Sequence, residues 1–382
     1  MSGMYVHIPF CIKKCSYCDF YSVPYSRELA EKYVESLIGE IEIFACHADP
    51  RTCGALNTLY IGGGTPSCLT PDHFSRITET IVERFDLSAL KEFTIEVNPG
   101  TLSAEKLSAY RDGGVNRISV GAQSFNDKYL KKLGRIHRKE DVYRTMGRVR
   151  DAGFSNVNID LIFGIPLQRE EEVVCDATEA ISLSPAHISA YALSIEEGTP
   201  LFEEVRCGLE TPSDDAYAQC YRTLGGLLEK QGYHHYEISN FARKDCECAH
   251  NIGYWTGEEY IAFGASASGH LKAGRPPGGL RYTNHEAIGE YIRAIERGQL
   301  PRAESMVNDV ATAWKERLIM GLRLTDGICM ASIEGELGEP PRSIRKSIRH
   351  LVEAKMLQKD GDVLRIPRDF IFVSNEILSR LV

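Results

Sequence analysis

Three cysteines share one short loop near the start of the chain. They are Cys11, Cys15 and Cys18, in the run Tyr5-Val-His-Ile-Pro-Phe-Cys11-Ile-Lys-Lys-Cys15-Ser-Tyr17-Cys18-Asp-Phe20. A loop that tight can aim three thiolates at one centre. Soft thiolate ligands select zinc or an iron–sulfur cluster. A structural zinc site closes with four ligands, and the loop offers three. On a four-iron cubane, three thiolates leave one iron open to a small molecule. The competing readings are a surface loop with incidental thiols and a zinc knuckle. Cys246, Cys248 and His250 form a Cys-x-Cys-x-His run that could also bind a metal, on a weaker signal.

The elements around the loop must hold it. Met4–Ile8 is β-branched and aromatic and reads as a strand running into the loop. Further strands are expected at Thr58–Ile61, Phe93–Val97, Val115–Val120, Val157–Ile162 and His187–Leu193. Helical patterns lie between them at Arg27–Ala45, Pro71–Phe85, Ser103–Asp112, Arg138–Ala152 and Glu170–Leu183, with another at Asp214–Lys230. Alternating strands and helices predict an α/β chain with a parallel sheet. Six units make a partial (β/α)6 barrel, open on one side and closed by the sixth strand. Chemistry in such folds sits at the C-terminal ends of the strands.

Polar residues stand at those ends. Gly62-Gly63-Gly64-Thr65-Pro66 follows the second strand, and glycines let a backbone approach a ligand closely. Glu96 lies inside the apolar third strand, where a carboxylate is costly to bury without a partner. Gln123 ends the fourth strand and can both donate and accept hydrogen bonds. Arg135 follows in Leu133-Gly-Arg-Ile-His137, where a bidentate carboxylate clamp is possible. Asp160 is an acid within the fifth strand. Singly, each could be a salt bridge or cap; at successive strand ends they predict one ligand site.

The chain has 382 residues, so one large domain plus a smaller one is expected. Residues 1–232 are expected to form the barrel, 233–305 a connecting segment and 306–382 a C-terminal domain. In that domain, helices at Ala311–Leu322 and Ser343–Ala354 precede a hairpin with an Asp360-Gly361 turn, giving a small winged-helix-like α+β shape. A net charge of −9 with both signs interspersed argues against nucleic acid as a partner. No apolar run is long enough to span a bilayer, and the start of the chain leads into a strand rather than a signal peptide. Twelve cysteines in so long a chain predict a reducing, cytoplasmic setting rather than a disulfide framework. Cys46, Cys53, Cys68, Cys175, Cys207, Cys220 and Cys329 read as small buried or half-buried residues.

The Cys-x3-Cys-x2-Cys loop with Tyr17 before its last cysteine resembles the radical S-adenosylmethionine (SAM) enzymes. The resemblance covers nearly the whole chain. It is closest to the subgroup of oxygen-independent coproporphyrinogen III oxidase and the haem chaperones called HemW, through Gly62-Gly-Gly-Thr-Pro66, Glu96-Val-Asn-Pro99, Gly121-Ala-Gln-Ser-Phe125 and Leu133-Gly-Arg-x-His137. It implies a [4Fe–4S] cluster on Cys11, Cys15 and Cys18. It also implies SAM bound by Tyr5, Gly63, Gly64, Thr65, Glu96, Gln123, Arg135 and Asp160, with Tyr17 and Phe10 shaping the cluster's surroundings. If SAM is cleaved, the cluster supplies an electron to the sulfonium, and an electron donor is then a partner. The oxidase carries a further cysteine two residues after the third; here that slot is Phe20, as in the chaperones. The run His250-Asn251-x-x-Tyr254-Trp255 matches their motif linked to haem. His250 is therefore the expected haem contact, beside the ring faces of Tyr254 and Trp255, with the small residues Gly264–Gly269 permitting close approach. Haem would be cargo for haem-requiring acceptor proteins, soluble or membrane-bound. The alternative function is oxidative decarboxylation of propionates by the oxidase, and a third is a zinc-stabilised structural protein.

Overall fold

Polar residues alternate with β-branched ones in the central strands, and the alternation decides which side of each strand faces inward. The computed structural model describes residues 3–47, 54–272 and 278–381. Six parallel strands follow one another: Gly3–Ile8, Thr58–Gly63, Glu92–Val97, Arg117–Gln123, Asn156–Phe163 and His187–Ala192. Ile95, Val97, Ile118, Val120, Val157, Ile159, Leu161 and Ile188 are buried in the apolar layer. Their alternate neighbours, such as Glu96, Ser119, Asn158, Asp160 and Ser189, line the inside of the barrel. A parallel sheet buried by apolar contacts on both faces would read as near-continuous hydrophobic runs. This one has a polar inner face because that face lines a cavity.

The helices bury one stripe each. Asp214–Lys230 turns Cys220, Tyr221, Leu224 and Leu228 inward. Pro71–Arg84 starts at Thr70, whose hydroxyl accepts from the His73 amide at 3.1 Å, with proline in the first turn.

The sixth strand does not close the sheet. It pairs antiparallel with Asn240–Ala242, which pairs with His234–Glu237. At the other side, Gly3–Ile8 pairs with Tyr260–Phe263, followed by Ser268–Leu271, Leu280–Asn284 and Arg302–Val307. Among the described residues one sheet of 12 strands results. The residues expected to form a connecting segment thus extend both edges of the barrel sheet. Glu40, in the helix Arg27–His47, ties one extension down. Its carboxylate accepts from the Gly264 amide at 2.8 Å, Asn284 Nδ2 at 2.7 Å and the Tyr291 hydroxyl at 2.6 Å.

The C-terminal part has helices Val310–Gly321, Met330–Leu337 and Arg342–Glu353 around a sheet of three short strands. Its hairpin pairs Asp360 with Val363 across a turn in which Gly361 has φ +58°. Helices plus a hairpin match the winged-helix-like expectation. Among the described residues no helix is long and apolar enough to cross a membrane. Of the scattered cysteines, Cys220 is buried and Cys68 half-buried, but Cys46, Cys175, Cys207 and Cys329 are exposed. They occupy outer faces and ends of helices, which a thiol tolerates as readily as a core; Cys53 lies outside the described residues.

Candidate functional site

The cysteine loop is held by its backbone. The Ser16 amide donates to the Leu133 carbonyl at 3.0 Å and the Ser16 hydroxyl to the Lys132 carbonyl at 2.9 Å. The Leu201 amide donates to the Ser16 carbonyl at 2.9 Å, and the Tyr25 amide to the Cys11 carbonyl at 2.9 Å. A Cβ on Gly134 would press on the Ser16 nitrogen at 3.0 Å, so this glycine lets the loop lie flat. Tyr17 packs into a small apolar cluster with Tyr129, Leu133, Ile162 and Leu193. These contacts leave Cys11, Cys15 and Cys18 half-buried, lining one cavity of about 450 Å³ at the C-terminal strand ends. That volume suits a small-molecule ligand.

The glycine motif fits against the loop. A Cβ on Gly64 would meet the Phe10 carbonyl oxygen at 2.7 Å and Cys11 Sγ at 3.1 Å. Gly63 has φ +117°, a conformation that favours glycine, and its amide donates to Glu96 Oε2 at 3.1 Å. The Thr65 hydroxyl lies 3.5 Å from Cys11 Sγ and accepts from Asn98 Nδ2 at 2.7 Å.

The walls carry the charged residues. Glu96 Oε1 accepts from the Tyr60 hydroxyl at 2.8 Å. Burial pushes the Glu96 carboxyl up to about 7, against the pull of these hydrogen bonds. Asp160 accepts from Ser119 at 3.1 Å and Asn158 at 2.8 Å, and burial raises its carboxyl too. Arg135 is not an open clamp. Its guanidinium donates to Cys15 Sγ at 3.4 Å, to the Gly121 carbonyl at 2.9 Å and to Asn98 Oδ1, placing a cation beside a cluster-loop thiol. Gln123 has φ +67°, rare for a non-glycine residue, at an irregularity in the strand register that aims its amide into the cavity. Tyr17, Gly63, Gly64, Thr65, Glu96, Gln123, Arg135 and Asp160 all line the cavity. Tyr5 does not; half-buried beside its register partner Tyr60, it pairs its hydroxyl with His7 Nδ1 at 3.0 Å. Phe10 is buried, edge-on to Tyr33 and Tyr25.

His250 sits beneath the cavity rather than on a face that could take a macrocycle. Its Nδ1 pairs with the Thr58 hydroxyl at 2.8 Å and its Nε2 with the Tyr254 hydroxyl at 2.8 Å. The ring stacks on Tyr60 at 5.1 Å, and burial lowers its imidazole to about 3. Neither nitrogen is free for iron in this arrangement. Tyr254 meets His250 edge-on, and Trp255 packs under the Arg323 guanidinium, so the two rings form no platform. Gly264 and Gly269 are filled by the chain itself: a Cβ would meet the His7 carbonyl oxygen at 2.5 Å or the Tyr282 ring at 2.4 Å. Cys248 is buried with its thiol on Glu92 at 3.3 Å, and burial raises that thiol to about 12. Among the described residues, no three His, Cys, Asp or Glu could hold a single metal ion. The loop's three thiols fall one short of the four ligands of a structural zinc and match a cubane with one open iron.

Tyr60, Asn98, Arg117, Ser119, Asn158, Ser189, Tyr191 and Asn251 also line the cavity, and sequence reading missed them. The signal was present: Arg117-Ile-Ser-Val-Gly-Ala-Gln123 and Asn156-Val-Asn-Ile-Asp160 place small, polar or charged residues at every second position of a buried strand.

Comparison with known proteins agrees with this geometry. A family model for the Radical SAM superfamily matches residues 5–177, and one for the HemN C-terminal domain matches residues 309–369. The chain is 36% identical to the haem chaperone HemW of Lactococcus lactis subsp. lactis, covering 100% of this chain and 97% of that one. It is 32% identical to the HemW of Bacillus subtilis, covering 99% and 98%. The solved structure of Escherichia coli coproporphyrinogen III oxidase, HemN, superposes with a TM-score of 0.84 at 22% identity, over 100% of this chain and 89% of that one. Membership of the superfamily implies a [4Fe–4S] cluster and SAM, and the thiol-lined cavity fits both. The chain belongs to the radical SAM superfamily, within the HemW family.

Proposed function

We propose that the chain is a haem chaperone that holds a [4Fe–4S] cluster on Cys11, Cys15 and Cys18, binds SAM across the strand ends and delivers haem to acceptor proteins. The observation that carries this reading is full-length similarity to relatives named as haem chaperones. The absent extra cysteine supports it against the oxidase: the slot holds Phe20, 67% exposed at the cavity mouth. When bound, the cluster supplies one-electron reducing chemistry to SAM. Arg135 holds its guanidinium against the Cys15 sulfur. Glu96, near neutrality in its titration, accepts hydrogen bonds from whatever amine or hydroxyl the ligand presents. In this reading residues 1–232 hold cluster and SAM, 233–305 carry the haem-linked motif, and 306–382 pack against the barrel. An electron donor reduces the cluster, acceptors take the haem in the cytoplasm, and nucleic acid has no part. His250 ligates haem only after Tyr254 releases its Nε2.

The test is an anaerobic haemin titration followed by absorbance, on wild type and His250→Ala. A saturable Soret shift in the wild type is expected, and its absence contradicts the chaperone reading. A shift unchanged in His250→Ala leaves haem binding standing and moves the contact elsewhere. Turnover of coproporphyrinogen III with SAM and a reductant would instead establish the oxidase.

A further inference from the structure

Arg117 opens the fourth barrel strand and is 2% exposed, yet its guanidinium makes no hydrogen bond or ion pair among the described residues. Its Nε is a buried donor without a partner. Such a group costs free energy unless something satisfies it. The residue lines the floor of the cavity, six residues below Gln123, or about 20 Å at 3.3 Å per residue. Around it the floor offers neutral hydrogen-bonding side chains: Ser119, Asn158, Ser189 and Asn251. Asn251 belongs to the His250-Asn251 motif, and its helix is fixed in place by Glu92, which accepts from the Ala249 amide at 2.8 Å and the His250 amide at 3.2 Å.

We infer that Arg117 and Asn251 form a carboxylate subsite at the base of the barrel, below the residues that face the cluster. A planar guanidinium with free donors matches a carboxylate in a paired, two-bond geometry. A singly charged group suits it better than a dianion, because Glu96 and Asp160 stand on the walls above. The bland role, a buried cation balancing Glu92, Glu96 and Asp160, accounts for the charge but not for the unpartnered donor. The inference rests on the proposed ligand site being the barrel cavity. The carboxylate is a porphyrin propionate, because the methionyl end of SAM belongs beside the cluster loop at the other end of the cavity.

The test uses cluster-reconstituted wild type and Arg117→Met under anaerobic conditions. Absorbance titration compares haemin with its dimethyl ester, and calorimetry of SAM is the control for an intact cavity. The subsite predicts a loss of about tenfold or more in affinity for haemin, the size of a lost charge-assisted hydrogen bond. The dimethyl ester and SAM should bind unchanged. Removing a cation that balances Glu92, Glu96 and Asp160 is expected to lower the melting temperature, so the readout is the ratio of haemin to ester affinity, which a general loss of stability leaves alone. Haemin bound as in wild type overturns the subsite. So do haemin and its ester weakened alike. If wild type binds neither SAM nor haemin, the proposed function itself fails.

Discussion

The two ends of the barrel use the same residue types in opposite ways. At the mouth, Cys11, Cys15 and Cys18 sit in a loop whose backbone is anchored at Cys11 and Ser16, and they line a cavity. Gln123 holds a strained backbone to point its amide the same way. Beneath the floor, His250, Tyr254 and Thr58 form a set in which both imidazole nitrogens already have partners, stacked on the cavity-lining Tyr60. Motif-bearing side chains are thus poised for ligands at one end and built into the packing at the other. A cysteine or histidine is available chemistry only where its atoms are unspent, and that depends on neighbours far away in sequence, such as Thr58 for His250.

The contrast breaks first at the mouth. Glu96→Ala with Arg135→Ala removes two charged cavity residues, each worth about 1.5–3 kcal/mol in a charge-assisted contact. SAM affinity measured by calorimetry should fall by about a hundredfold or more. Unchanged affinity would place SAM elsewhere.

At the floor the expected effect is on stability instead. His250→Ala deletes two buried hydrogen bonds and a stacked ring, so denaturant unfolding should show a loss of about 2–4 kcal/mol. Iron content should stay as in wild type. A variant as stable as wild type would mean the floor is looser than its hydrogen bonds indicate.

A smaller effect sharpens the comparison away from both ends. Burial raises the Glu40 carboxyl to about 7, despite three hydrogen bonds. The folded form therefore keeps a proton that the unfolded chain has lost, so its contribution is complete below the unfolded value near 4.5 and declines as pH rises through 7. The stability of wild type relative to Glu40→Gln should fall between pH 5 and pH 8, by at most about 1.4 kcal/mol per pH unit. A difference independent of pH would show that Glu40 is already ionised in the fold.

The mouth was legible in the sequence because its signals are local. Cysteine spacing, a glycine run after a strand and acids inside apolar strands need no distant partner to be read. The six strands and their helices were legible through periodicity. The sheet extensions were not, because Asn240–Ala242 and Tyr260–Phe263 are too short for a clear pattern and pair across long sequence distances. Tyr5 was placed on the ligand, and it shares the inner face with its register partner Tyr60 without itself lining the cavity. His250 was read for what an imidazole can do, whereas Thr58 and Tyr254 decide what this one does. Arg117 was passed over because a lone basic residue within the expected strand Val115–Val120 carries no local sign of what it faces.

The central claim is that the loop at the mouth carries a four-iron cluster. The direct measurement is iron and sulfide content after anaerobic reconstitution, on wild type and on Cys11→Ala with Cys15→Ala and Cys18→Ala. About four irons per chain are expected in wild type, the stoichiometry of a [4Fe–4S] centre, and essentially none in the triple variant. Full iron content in the triple variant, or a single zinc in the wild type, would contradict the account.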